Sequence, residues 1–205
     1  MCIEEPKTQS SAHARTVSCN FMTKENAYKI LDDRIEFQFY NLFFSSLHKD
    51  RIVTLDRINA VDLNTSPHSL IIDNREIIFL NHNDTNSLEP FAVKNKIPHS
   101  THFDTWAILT RDYLDTQLDE QTLAEQDKKL DAIGIDQNEF KKISKGLWWT
   151  MFGTMEWAYL GLWDVFALKQ YRNPLYRLYG KSYYWKLMAI GLKGSEYDNR
   201  KKSSS

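Results

Sequence analysis

Leu70-Ile71-Ile72-Asp73-Asn74-Arg75-Glu76-Ile77-Ile78-Phe79-Leu80 places two runs of β-branched and apolar residues on either side of a short polar stretch. Such runs suit a pleated, half-buried surface, and Asp and Asn tolerate the turn backbone that a hairpin needs. The segment therefore predicts an antiparallel hairpin. Upstream, Arg51 to Ile58 and Val61 to Leu63 carry the same composition, and Ser66-Pro67 interrupts it. Residues 51–81 thus read as three or four antiparallel strands. A sheet of that size needs helices against it to be stable.

Helices are expected on both sides. Upstream, Tyr28, Leu31, Ile35, Phe39, Leu42 and Phe43 recur at three- and four-residue steps, which predicts a helix capped by Thr23 and running to about Leu47. Residues 1–22 show no periodicity and read as a disordered arm. Downstream, the segment from Asn81 to Pro98 is polar, with a short strand expected at Phe91-Ala92-Val93. Beyond it the pattern is helical. Thr101 with Asp104 resembles a capping pair, and Phe103, Trp106, Ala107, Thr110, Tyr113 and Leu114 follow as a stripe. Asp119 fits an N-cap, and Gly134 fits the left-handed position that closes a helix.

Asp136 with Glu139 three residues on, flanked by Ile135 and Phe140, is a capping box with a staple. It opens a long helix expected to run from Gln137 toward Tyr171, with a break near Gly146. Asn173-Pro174 ends it, a short helix over 175–179 is closed by Gly180, and a last helix from Ser182 ends near Gly191 or Gly194. Residues 195–205 read as a polar, disordered tail. The fold class expected is α+β: an N-terminal helix and small antiparallel sheet (23–98) packed on a mostly helical, aromatic-rich bundle (99–194), with 23–194 as one compact unit.

Composition narrows the function classes. The 205-residue chain carries a net charge of -1, so its overall field favours no class of partner. The charges are nevertheless segregated: residues 103–140 hold ten acids and three bases, and residues 141–205 hold twelve bases and four acids. The two cysteines, Cys2 and Cys19, cannot build a disulfide framework. That usage suits a reducing, cytoplasmic setting and argues against a disulfide-linked partner. No glycine-rich phosphate loop, serine elbow, CxxC pair or HExxH motif is present.

Leu147 to Leu168 is the most apolar stretch and has cationic flanks, but Glu156 and Asp164 lie within it. Each acid costs about 2.5–3.5 kcal/mol at mid-bilayer, so a helix buried in protein is expected over a membrane span. The same two acids are the alternative catalytic pair. Thirteen of the twenty-seven aromatics fall between Trp148 and Trp185. From Tyr171 on, they interleave with bases: Tyr171, Arg172, Tyr176, Arg177, Tyr179, Lys181, Trp185 and Lys186. Aromatic residues beside Arg and Lys suit a protein interface, which is the partner expected here. A membrane surface is the alternative, and nucleic acid is disfavoured.

The function expected is therefore that of a non-catalytic binding or accessory protein without a cofactor. The alternative is a metal-assisted hydrolase, or another small-molecule enzyme, holding a divalent metal with His99, His102 and Asp104.

Overall fold

The computed structural model of the chain describes residues 28–65, 67–80, 85–100, 103–113, 118–151, 161–162, 165–166 and 175–203. The architecture is α+β, with two three-stranded antiparallel sheets and helices packed on them. The first sheet joins β1 (Tyr28–Ile30), β2 (Arg34–Phe37) and β3 (Ile52–Thr54) in that order. The second joins β4 (Ile58–Asp62), β5 (Ser69–Ile72) and β6 (Glu76–Phe79).

The helix expected from Thr23 to about Leu47 is not formed over the described residues 28–46; Thr23 lies outside them. Between Tyr28 and Phe37 the chain forms the β1–β2 hairpin, with Ile30 opposite Ile35 and Tyr28 opposite Phe37. Ile35 also pairs with Val53 of β3, and both are fully buried. The Tyr28 and Phe37 rings lie 5.4 Å apart across the strands. Cross-strand packing of this kind outweighs a three-to-four spacing that the local sequence also satisfies. Among the described residues up to Arg51, the α-helix present is one turn, α1 (Leu47–Asp50).

The β5–β6 hairpin forms as expected. Asp73 and Asn74 hold its turn at φ 53 and 49, the left-handed region those residue types tolerate. All four residues of β5 and all four of β6 are buried, so this hairpin is the centre of the core. Its turn is tied back to β4 and the turn before it: Arg57, just ahead of β4, pairs with Asp73 at 2.8 Å, and the Asn74 amide donates to Asn59 Oδ1 of β4 at 2.6 Å.

α2 (Thr85–Lys94) takes up Phe91, Ala92 and Val93, which were expected to form a strand. Phe91 and Ala92 are buried while Val93 is 67% exposed. One buried side suits a helix here, where a short apolar run alone cannot separate the two. α3 (Thr105–Leu109) is capped by Asp104, whose Oδ1 accepts from the amides of Trp106 and Ala107. Thr101 lies outside the described residues. α4 (Glu120–Ala132) is capped by Asp119 through the Thr122 amide, and Gly134 at φ 75 follows its end. α5 (Gln137–Met151) is capped by Asp136, which accepts from the Glu139 amide at 2.8 Å. It runs through Gly146 without a break, and its expected continuation over 152–160 lies outside the described residues.

α6 (Tyr176–Ser203) is one continuous helix, not two. Gly180, Gly191 and Gly194, expected as stops, all lie inside it, and the polar stretch 195–203 is helical too. Close packing accounts for two of these glycines. A Cβ at Gly191 would come within 2.7 Å of Leu162 Cδ2, and one at Gly194 would land on the Phe103 carbonyl oxygen. The missing side chains let α6 approach β6 and the start of α3. Trp106, fully buried, donates its indole N–H to the Leu187 carbonyl of α6 at 3.2 Å. Among the described residues no helix is long and apolar enough to cross a membrane.

Candidate functional site

Three consecutive residues of α6 point to three different surroundings. Tyr183 lines a cleft against α5, Tyr184 is buried in the core, and Trp185 lies under Arg75 at the tip of the β5–β6 hairpin. The Arg75 guanidinium sits 4.2 Å from the Trp185 ring centroid, a cation–π geometry.

The Tyr184 hydroxyl donates to Glu76 Oε1 at 2.7 Å. The Ser46 amide donates to both oxygens of the same carboxyl at 3.2 Å. Glu76 is only 2% exposed, so these bonds replace the water it gives up on folding. Arg57 Nη2 extends the network to the Ser46 hydroxyl at 3.2 Å. The hairpin thus grips α6 at adjacent residues, Arg75 on Trp185 and Glu76 on Tyr184, which fixes the rotation of the helix about its axis. Burial, with Glu76 close by, pushes the Tyr184 phenol well above its ordinary range.

Burial raises the Tyr183 phenol to about 12 from 10.0. In the unfolded chain that phenol ionises near 10.0, so the stability held by its neutral form is complete below that pH. It is lost as pH climbs from about 10 toward about 12. Urea unfolding across that window is expected to show a steady fall in stability. The fall should be shallower in Tyr183→Phe, and an identical slope in the variant would remove Tyr183 as a source.

The cleft has a volume of about 430 Å³. Its floor is Trp106 of α3, on which α5 and α6 both lean, with Leu187 and Ile190 beside it. α5 contributes Glu139, Lys142, Ile143 and Gly146, and α6 contributes Tyr183, Lys186, Leu187 and Ile190. Each set follows the i, i+3, i+4, i+7 spacing, so each wall is one face of its helix. Asp136 and Asn138 complete the edge near the start of α5. The charged groups of the rim are two carboxylates, Asp136 and Glu139, and two ammonium groups, Lys142 and Lys186.

Of the residues expected to bind a partner, Lys181 and Lys186 are exposed and Trp185 is half-buried. Tyr176, Arg177 and Tyr179 lie on the first turn of α6, but their side chains, together with all of Tyr171 and Arg172, lie outside the described residues. The same region carries two exposed apolar side chains that sequence reading passed over, Leu175 at 51% and Leu178 at 71%. Of the alternative metal set, His99 is exposed on the segment that bridges to Val61 of β4. Asp104 has one oxygen on the α3 cap, and the other accepts from the Leu162 amide at 3.3 Å. His102, Glu156 and Asp164 lie outside the described residues. Among the described residues no three His, Cys, Asp or Glu side chains gather as ion ligands do.

Gly146, Glu139 and Glu76 were not singled out as site residues from the sequence. Glu76 was visible as the one acid in an apolar run, and Glu139 as half of a capping box. Their surroundings come from α6, far along the chain. No protein-family model, curated protein or solved structure matches the chain.

Proposed function

We propose that the chain is a non-catalytic binding or accessory protein that holds a helical segment of a partner protein against α6. The observation that supports this is the cleft walled by two sets of i, i+3, i+4, i+7 side chains, one from α5 and one from α6. A third amphipathic helix laid between them would complete a helix-in-groove arrangement, with its apolar stripe toward half-buried Ile143 and Tyr183. The rim favours a polypeptide over a polyanion. Two acids and two lysines balance each other, whereas nucleic acid and anionic lipid both call for a surface of one sign.

A photo-crosslinking amino acid at Lys142 or Lys186, set against one at the exposed Lys128 of α4, tests the reading in cells. A discrete polypeptide adduct is expected from the two cleft positions and not from Lys128. Adducts to lipid or nucleic acid, or the same adducts from all three positions, would reject it.

A further inference from the structure

Glu76 is the one charged residue of strands β5 and β6, all eight of whose residues are buried. Among the described residues no Lys, Arg or His side chain pairs with it. Arg57 stops at the Ser46 hydroxyl, and the carboxylate is held by two neutral donors, the Tyr184 phenol and the Ser46 amide. A buried carboxylate kept in this way costs desolvation that a leucine in its place would avoid. What it supplies instead is direction. Apolar contacts are non-directional and let a helix turn on its axis, whereas the 2.7 Å bond from Tyr184 holds over a narrow range of angles. Arg75 on Trp185 adds a second side-chain contact at the next position of α6.

Direction matters at this point of α6 because the residues on either side line the cleft: Tyr183 before the grip, Lys186 and Leu187 after it. Consecutive residues are about 100° apart around a helix, so a turn at Tyr184 swings the whole wall. Further along, Gly191 and Gly194 seat α6 against Leu162 and Phe103, but that seat begins about 10 Å beyond Tyr184. The Trp106 indole also reaches α6, at the Leu187 carbonyl, a backbone group close to the axis that moves little when the helix turns. We propose that the tip of the β5–β6 hairpin is a rotational stop for α6, and that Glu76 and Arg75 are positioning residues that set the width of the α5–α6 cleft. The stop acts on the cleft as the chain alone holds it, whether or not a partner helix enters, and so goes beyond the binding reading. Glu76 exchanges stability for register, the use for which buried polar groups are best attested.

Spin labels at Lys142→Cys and Lys186→Cys, in the full chain carrying Cys2→Ser and Cys19→Ser, read the distance across the cleft by pulsed electron resonance. Rim side chains lie about 5–6 Å from the helix axis, so a turn of about 30° carries Lys186 about 3 Å. Glu76→Leu combined with Tyr184→Phe removes the polar grip and keeps an apolar filling. That pair is expected to hold the thermal midpoint and yet shift or widen the distance by about 3 Å. Glu76→Gln, which still accepts from Tyr184, is expected to keep the wild-type distance. Arg75→Ala, at an exposed position, removes the other contact alone and is expected to widen the distribution with the midpoint held; it carries the test if the apolar pair does not fold. An unchanged distance in the folded apolar pair, or in Arg75→Ala where it stands in, would overturn the stop. So would a Glu76→Gln variant that shifts as far as the apolar pair, or a shift that comes only with a matching fall in the midpoint, which is what loosened packing alone gives.

Discussion

Trp106→Ala should be the most damaging single substitution in the cleft region, lowering unfolding free energy by about 3–5 kcal/mol. Trp106 is fully buried and carries the floor on which α5 and α6 lean. Its removal opens a large void and takes the indole donor from the Leu187 carbonyl, a lost hydrogen bond on top of the cavity cost. Urea denaturation of the purified variant measures the loss. A drop below about 1 kcal/mol would mean that the helices re-pack around the gap and that Trp106 does not hold them apart.

Gly194→Val should be nearly as costly, at about 3 kcal/mol, because the obstruction is main chain. The new Cβ would fall on the Phe103 carbonyl oxygen and within 3.0 Å of Thr105 Oγ1 at the entrance to α3. Neither α6 nor the start of α3 can yield without loosening the other. Helix propensity pulls the opposite way by a few tenths of a kcal/mol, too little to offset the collision. At Gly191 the nearest atom is the end of the Leu162 side chain, which can rotate, so Gly191→Ala is expected to cost less. Thermal unfolding of the two variants side by side checks the ranking, and the reverse order would show that the α6–α3 contact is looser than its geometry.

What could be read from the sequence was what neighbouring residues decide. The turn at Asp73-Asn74, the caps at Asp119 and Asp136 and the closing Gly134 each depend on a few adjacent positions, and each is in place. The misreadings share one cause. Residues 28–37 satisfy a helical spacing, but Ile35 finds its partner at Val53, and only that pairing makes the strand preferable. Gly191 and Gly194 read as helix stops because their reason lies at Leu162 and Phe103. Lys186 was picked out from its composition, yet the wall facing it, from Glu139 to Gly146, follows only from two helices meeting over Trp106. Glu76 has its partner 108 positions away, beyond the reach of any local pattern.

That long span bears on how the chain is born. Strands β5 and β6 are made early, but the residues that shield them, Tyr184 to Gly194, leave the ribosome roughly a hundred positions later. At about 5–20 residues per second, the apolar hairpin waits on the order of 5–20 s without its lid. During that interval Leu70, Ile72 and Ile78, which end with no solvent exposure, are open to other nascent chains, so chaperone demand should be highest then and end when α6 docks.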